Sequence, residues 1–138
     1  MKTTFKEIES LTITSDMASL ILVESLIDDI CQSQGVDEDN YGNILIAVTE
    51  AVNNAIQHGN ANDTTKNVRL DVLFNEGEIQ FKILDEGIGF DYKNLPDPTA
   101  PENIERENGR GIFLMEALSD KIEFNEKGNE VSLYFNLN

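Results

Sequence analysis

Glu50-Ala51-Val52-Asn53-Asn54-Ala55-Ile56-Gln57-His58-Gly59 sets a carboxylate and a carboxamide four residues apart inside an otherwise apolar helical pattern. One helical turn separates them, so Glu50 and Asn54 share a face. Counting about 100° per residue from Glu50, Tyr41, Ile44, Leu45, Val48, Val52, Ala55 and Ile56 gather on the far side. Asn43, Ala47, Glu50, Asn54 and Gln57 line the near side. A helix with one apolar face and one face of small and polar residues suits the wall of a pocket. It is expected to begin near residues 37–40 and to end at Gly59.

Upstream of this helix, residues 2–14 alternate loosely through Phe5, Ile8, Leu11 and Ile13 and read as one strand or two short ones. Ser15 and Asp16 offer N-cap oxygens to a first helix that carries Leu20, Ile21, Leu26, Ile27 and Ile30 on its apolar stripe. Gly35 marks its stop. Downstream, Val68, Leu70, Val72 and Phe74 alternate, as do Ile79, Phe81 and Ile83, across the turn Asn75-Glu76-Gly77-Glu78. That is a hairpin signal. Residues 90–110 show no apolar period and hold all three prolines, so a loop of this length is read as functional or unstructured. A short helix over 112–118 and a closing hairpin follow, with Ile122 and Phe124 facing Val131, Leu133 and Phe135 across Lys127-Gly128-Asn129. The order strand, helix, helix, hairpin, loop, helix, hairpin predicts an α+β fold, a mixed, mostly antiparallel sheet with helices on one face. Regular β-α-β alternation is missing, which argues against a doubly wound parallel sheet.

Composition narrows the function. The 138 residues are 40% hydrophobic, enough for a single domain with a real core. No apolar run approaches the roughly 18 residues that cross a bilayer, and no leader pattern opens the chain, so a cytoplasmic protein is expected. Cys31 is the only cysteine, which excludes an internal disulfide and a Cys-rich zinc site and leaves packing as its role. The formal net charge is −16, and no Lys or Arg stands between Lys6 and Lys66. Glu24, Asp28, Asp29, Asp37, Glu38 and Asp39 lie in that stretch. Direct contact with nucleic acid or an anionic membrane is therefore not expected. The acidic half reads either as a solvated surface or as a docking face for a basic protein.

Two further motifs carry chemistry. Asp85-Glu86-Gly87-Ile88-Gly89 follows a buried strand, delivering a carboxylate into a loop whose glycines let a ligand approach the backbone. Asn108-Gly109-Arg110-Gly111 precedes a helix, where free N–H groups and the positive dipole end favour phosphate. Alone, a glycine pair after a strand is ordinarily a turn and a glycine before a helix a cap.

In this order, over nearly the whole chain, the three motifs resemble the nucleotide-binding signature of the GHKL ATPases, and most closely the bacterial anti-sigma regulatory factors that act as serine-protein kinases. The matching segments are Glu50-Ala51-Val52 with Asn54, Ala55, His58 and Gly59, then Asp85-x-Gly87-x-Gly89, then Gly109-x-Gly111 with Met115-Glu116. The resemblance implies a two-layer, Bergerat-type sandwich forming one ATP-binding domain over 1–138, with residues 90–110 as a lid; the three prolines and several charges of that segment predict that it is mobile until ATP binds. It implies Asn54 as a Mg²⁺ ligand, Glu50 as the base that activates the attacking nucleophile, and Asp85 as acceptor for the adenine amino group. Gly87 and Gly89 would make room for adenine and ribose, and Gly109, Arg110 and Gly111 would close over the phosphates. Ser132 falls roughly where relatives place a hydroxyl near adenine. Asn53 lies about 100° from Asn54 and is read as structural, and His58 as a cap or pocket residue. ATP and Mg²⁺ are the implied cofactors, a sigma factor and an antagonist protein the implied partners, and a homodimer the implied assembly. The competing reading is a nucleotide-gated binding module that holds a partner without phosphorylating it.

Overall fold

The alternating runs meet in one sheet. A computed structural model describes residues 4–87 and 107–137, with 107–110 described by backbone alone. Its strands are β1 (Lys6–Thr14), β2 (Asn67–Asn75), β3 (Glu78–Leu84), β4 (Lys121–Phe124) and β5 (Glu130–Asn136). They lie in the order β1-β2-β3-β5-β4, and every pairing among the described residues is antiparallel. Cross-strand partners share a face, and the register matches apolar with apolar: Leu70 with Ile83, Val72 with Phe81, Phe81 with Leu133, Ile79 with Phe135. All of these are buried. A slip of one residue would turn the whole row outward, so burial itself fixes the pairing. Phe81 and Phe135 meet edge to face, centroids 5.9 Å apart.

Among the described residues three helices cover that apolar row: α1 (Leu20–Ser33), α2 (Glu38–Asn54) and α3 (Glu107–Leu118). A 3₁₀ turn, Met17–Ser19, leads into α1, and the Asp16 carboxylate caps it by accepting from the Ala18 N–H at 3.0 Å. Ser15, the other expected cap, is buried and bonds elsewhere. Val23, Ile27, Ile30 and Cys31 form the buried stripe of α1. Burial, and then the Asp28 charge, push the Cys31 thiol up to about 11, so it stays protonated and packs as an apolar group. Asp37 caps α2 through the Asn40 N–H at 2.8 Å, with Glu38 and Asp39 in the first turn favourably placed on the helix dipole. The Tyr41 hydroxyl donates to the Asp28 carboxylate and ties α2 to α1.

Helix α2 lies between α1 and α3 and rests on β3 and β5. Ile44, Val48, Val52 and Ile56 are fully enclosed, as the helical count from Glu50 expects. Ala47 differs from that expectation: it is 0% exposed rather than lining an open face. It sits on the flank that carries Asn54, where α3 packs, and its small side chain lets α3 come close. The start of α3 also differs. The helix begins at Glu107, not Ile112, so Gly109, Arg110 and Gly111 lie inside its first turns rather than in a loop before it.

Candidate functional site

Helix α2 does not end as an α-helix. After Asn54 the chain widens into a π turn, Ala55–Gly59, in which the Asn60 N–H donates to the Ala55 carbonyl and the Asn62 N–H to the Ile56 carbonyl, both at 2.8 Å. Single π turns inside helices often accompany functional sites. Ala61 and Asn62 then adopt left-handed backbone, φ 53° and 58°, to turn the chain back. The wide turn sets Gly59 against the end of β3. A Cβ on Gly59 would stand 2.3 Å from Asp85 Oδ2, and a Cβ on Gly87 would stand 2.0 Å from the Gly59 carbonyl oxygen. The Gly87 contact requires glycine, because one backbone presses on another, whereas a Cβ on Gly59 would force the Asp85 carboxylate aside.

Asp85 is the first residue beyond β3, and its turn is held on every side. The Asp85 N–H donates to the Asn129 carbonyl at 2.9 Å, and Asn129 Nδ2 donates to the Asp85 carbonyl at 3.1 Å. The Glu86 N–H donates to Asn60 Oδ1 at 2.8 Å, while the Glu86 carboxylate accepts from the Asn67 N–H. Asp85 Oδ1 accepts from the Gly87 N–H at 2.8 Å. Burial pushes the Asp85 carboxyl above its ordinary value, opposed first by the Gly87 hydrogen bond and then by the charges of Lys127 and Lys66. Oδ2 accepts no hydrogen bond among the described residues and lies against Gly59.

The other end of the site lies between α2 and α3. A Cβ on Gly111 would fall 2.8 Å from Asn54 Nδ2 and 3.2 Å from its Oδ1, so Asn54 faces the opening turns of α3 directly. Glu50, one turn back on the same face, is half-buried like Asn54. The first N–H groups of α3 have no partner within the helix, and such a terminus favours an anion. Glu50, Asn54 and Gly111 are thus brought together at one end, and Asp85 and Gly87 at the other. Gly109 and Arg110 belong to the opening of α3 by backbone position. Gly89 and residues 90–106 of the expected lid lie outside the described residues.

Three positions change against the sequence reading. Ser132 pairs with Lys82 and Glu123, between the buried core residues Val131 and Leu133, and so faces the side of the sheet away from the helices. Its place beside Asp85 is taken by Asn129, which sequence reasoning gives only as a turn residue. His58 is exposed on the π turn. Gly59 and Asn60 are also missed from sequence: one reads as a helix stop, the other as the first residue of a polar loop. The three turns carrying Asn60, Asp85 and Asn129 leave no periodic trace that would link them.

Comparison with known proteins agrees with this geometry. The model of the histidine kinase-like ATPase domain matches residues 13–135. The serine-protein kinases RsbW of Staphylococcus aureus strains JH9 and Newman are 33% identical over 122 residues, covering 81% of this chain and 76% of theirs. Among solved structures, the RsbU and RsbW domains of Rv1364c from Mycobacterium tuberculosis superpose with a TM-score of 0.65 at 18% identity. That match covers 94% of this chain and 33% of the longer one, and it is a likeness of fold.

Proposed function

Because the chain belongs to the histidine kinase-like ATPase family, we propose that it is an ATP-dependent serine/threonine protein kinase of the anti-sigma type. It would hold a sigma factor and phosphorylate the antagonist protein that displaces it. The observation that carries this reading is the 33% identity to serine-protein kinases over most of both chains, with Glu50 and Asn54 intact on α2. Asp85 takes the adenine amino group on its carboxylate, and Gly87 and Gly89 give the base and ribose room. Gly109, Arg110 and Gly111 hold the phosphates with the N–H groups that open α3. The serine hydroxyl of the antagonist attacks the γ-phosphorus, its oxygen bonds to phosphorus as the bond to the leaving ADP oxygen breaks, and the Glu50 carboxylate takes the hydroxyl proton.

Mg²⁺ suits the residues present. Among the described residues no three His, Cys, Asp or Glu side chains gather into a metal cage. Asn54 instead offers a single amide oxygen, and Mg²⁺ is usually held by few protein groups together with phosphate oxygens and water. When bound it offsets phosphate charge, which a protein of net charge −16 would otherwise repel. We place the protein in the cytoplasm as one domain; no helix among the described residues is long and apolar enough to cross a membrane.

The test is to incubate the protein with γ-labelled ATP, Mg²⁺ and candidate antagonist and sigma proteins. Label on an antagonist serine supports the kinase. Stable, nucleotide-dependent complexes without transfer would replace it with a non-catalytic switch.

A further inference from the structure

Asn60 is 0% exposed, yet both polar atoms of its side chain are fully used. Oδ1 accepts from the Glu86 N–H at 2.8 Å, and Nδ2 donates to Ser15 Oγ at 2.8 Å and to the Asn67 carbonyl at 3.0 Å. The partners fix the orientation of the amide, since an N–H needs the oxygen and a carbonyl needs the nitrogen. Ser15 is itself pinned, its Oγ donating to the Lys66 carbonyl at 2.7 Å. One buried carboxamide therefore joins the end of β1, the start of β2, the end of the π turn and the turn that carries Asp85. Gly59, next to it in sequence, is the residue whose backbone meets the Asp85 carboxylate and Gly87.

We propose that Asn60 is a positioning residue for base recognition: by holding the Glu86 N–H it fixes where the Asp85 carboxylate is presented. Resting on the ATP-site reading above, it adds a residue that touches no ligand. Asn60 is chosen over a simple fold contact because its oxygen bonds the residue directly between Asp85 and Gly87. Displacing that N–H tilts the carboxylate against its Gly59 seat, and small misplacements of a recognition group carry large penalties.

The experiment measures affinity for Mg-ATP and Mg-GTP, and kcat and the KM for ATP with the unphosphorylated antagonist as acceptor, for wild type, Asn60→Ala, Asn60→Leu, Asn60→Asp and Ser15→Ala. Asn60→Asp keeps an acceptor for Glu86 but loses both donors; Ser15→Ala removes one acceptor of Nδ2 and leaves the Glu86 bond in place. The expected result is a KM for ATP raised roughly ten- to hundred-fold in Asn60→Ala, with kcat at saturating ATP within about two-fold of wild type. Preference for ATP over GTP narrows in Asn60→Ala, while Asn60→Asp and Ser15→Ala, which keep an acceptor for the Glu86 N–H, stay near the wild-type preference. A fold-only role would lower the melting temperature and leave the KM and the ATP:GTP ratio of the folded protein unchanged; that outcome overturns the proposal. Should Asn60→Ala fail to fold, Asn60→Leu, which fills a similar space and also lacks the acceptor for the Glu86 N–H, carries the same test, and unaltered nucleotide preference in it overturns the proposal. Wild type that prefers no nucleotide sinks the ATP-site reading itself, a result distinct from either.

Discussion

At the scale of single residues, burial of a charged group at Asp85 works against the fold. Asp85 has its carboxyl raised above the ordinary 3.8 chiefly by burial. A carboxyl raised in the folded state costs no stability while protonated in both states, begins to cost it as pH rises past the ordinary value, and reaches a constant penalty once pH exceeds the raised value. Asp85→Asn keeps an oxygen for the Gly87 N–H and removes the charge. It should therefore raise the melting temperature of the nucleotide-free protein at neutral pH, a gain that fades on acidification toward pH 4, while ATP loses its advantage over GTP. A melting temperature that falls at neutral pH would show that the charge is not what strains this turn. Glu50→Ala should bind Mg-ATP nearly as wild type yet lose about 10²- to 10⁴-fold in phosphotransfer, the usual contribution of a general base. Equal turnover in a single-turnover assay would remove Glu50 from that role. Both residues are legible in the sequence because chemistry restricts them to few residue types at fixed spacing. Asn60 and Asn129 are not, because an asparagine in a turn is common and their partners lie 26 and 44 residues away.

At the scale of elements, close backbone approach separates two kinds of glycine. A Cβ on Gly87 meets the Gly59 carbonyl oxygen at 2.0 Å, and neither backbone can yield without moving its element. Gly87→Ala should cost about 1–3 kcal/mol of folding stability, the range for overpacking. A Cβ on Gly59 meets instead the Asp85 carboxylate, which can rotate away. Gly59→Ala should unfold near the wild-type denaturant midpoint but bind ATP weakly; the reverse ranking in paired unfolding and binding titrations would contradict this assignment. The hairpins are readable from alternation, since burial on one face leaves a period of two. The true start of α3 is not, because Gly109 and Gly111 look like helix breakers until Asn54 is seen to need the space. The π turn is equally silent, since Ala55 and Ile56 fit an ordinary helical stripe.

At the scale of the whole molecule, charge sets the conditions for binding. A net charge of −16 repels itself in the folded state, so the melting temperature of the nucleotide-free protein should rise as salt increases from about 10 to 150 mM, over which the Debye length falls from about 30 to 8 Å. Mg-ATP at a hundred-fold above its Kd should add about 2.7 kcal/mol of stability, and Mg-GTP much less; equal shifts in thermal melts would argue against Asp85 as the base reader. The groups that hold the Asp85 turn come from Ser15, Asn60, Asn67, Asp85 and Asn129, which is to say from one end of the chain almost to the other. During synthesis, a nascent chain that has displayed Asp85 still lacks the Asn129 clasp until the last hairpin has emerged and paired with β3. On the proposed reading, nucleotide would bind well only to a chain in which that last hairpin has already paired.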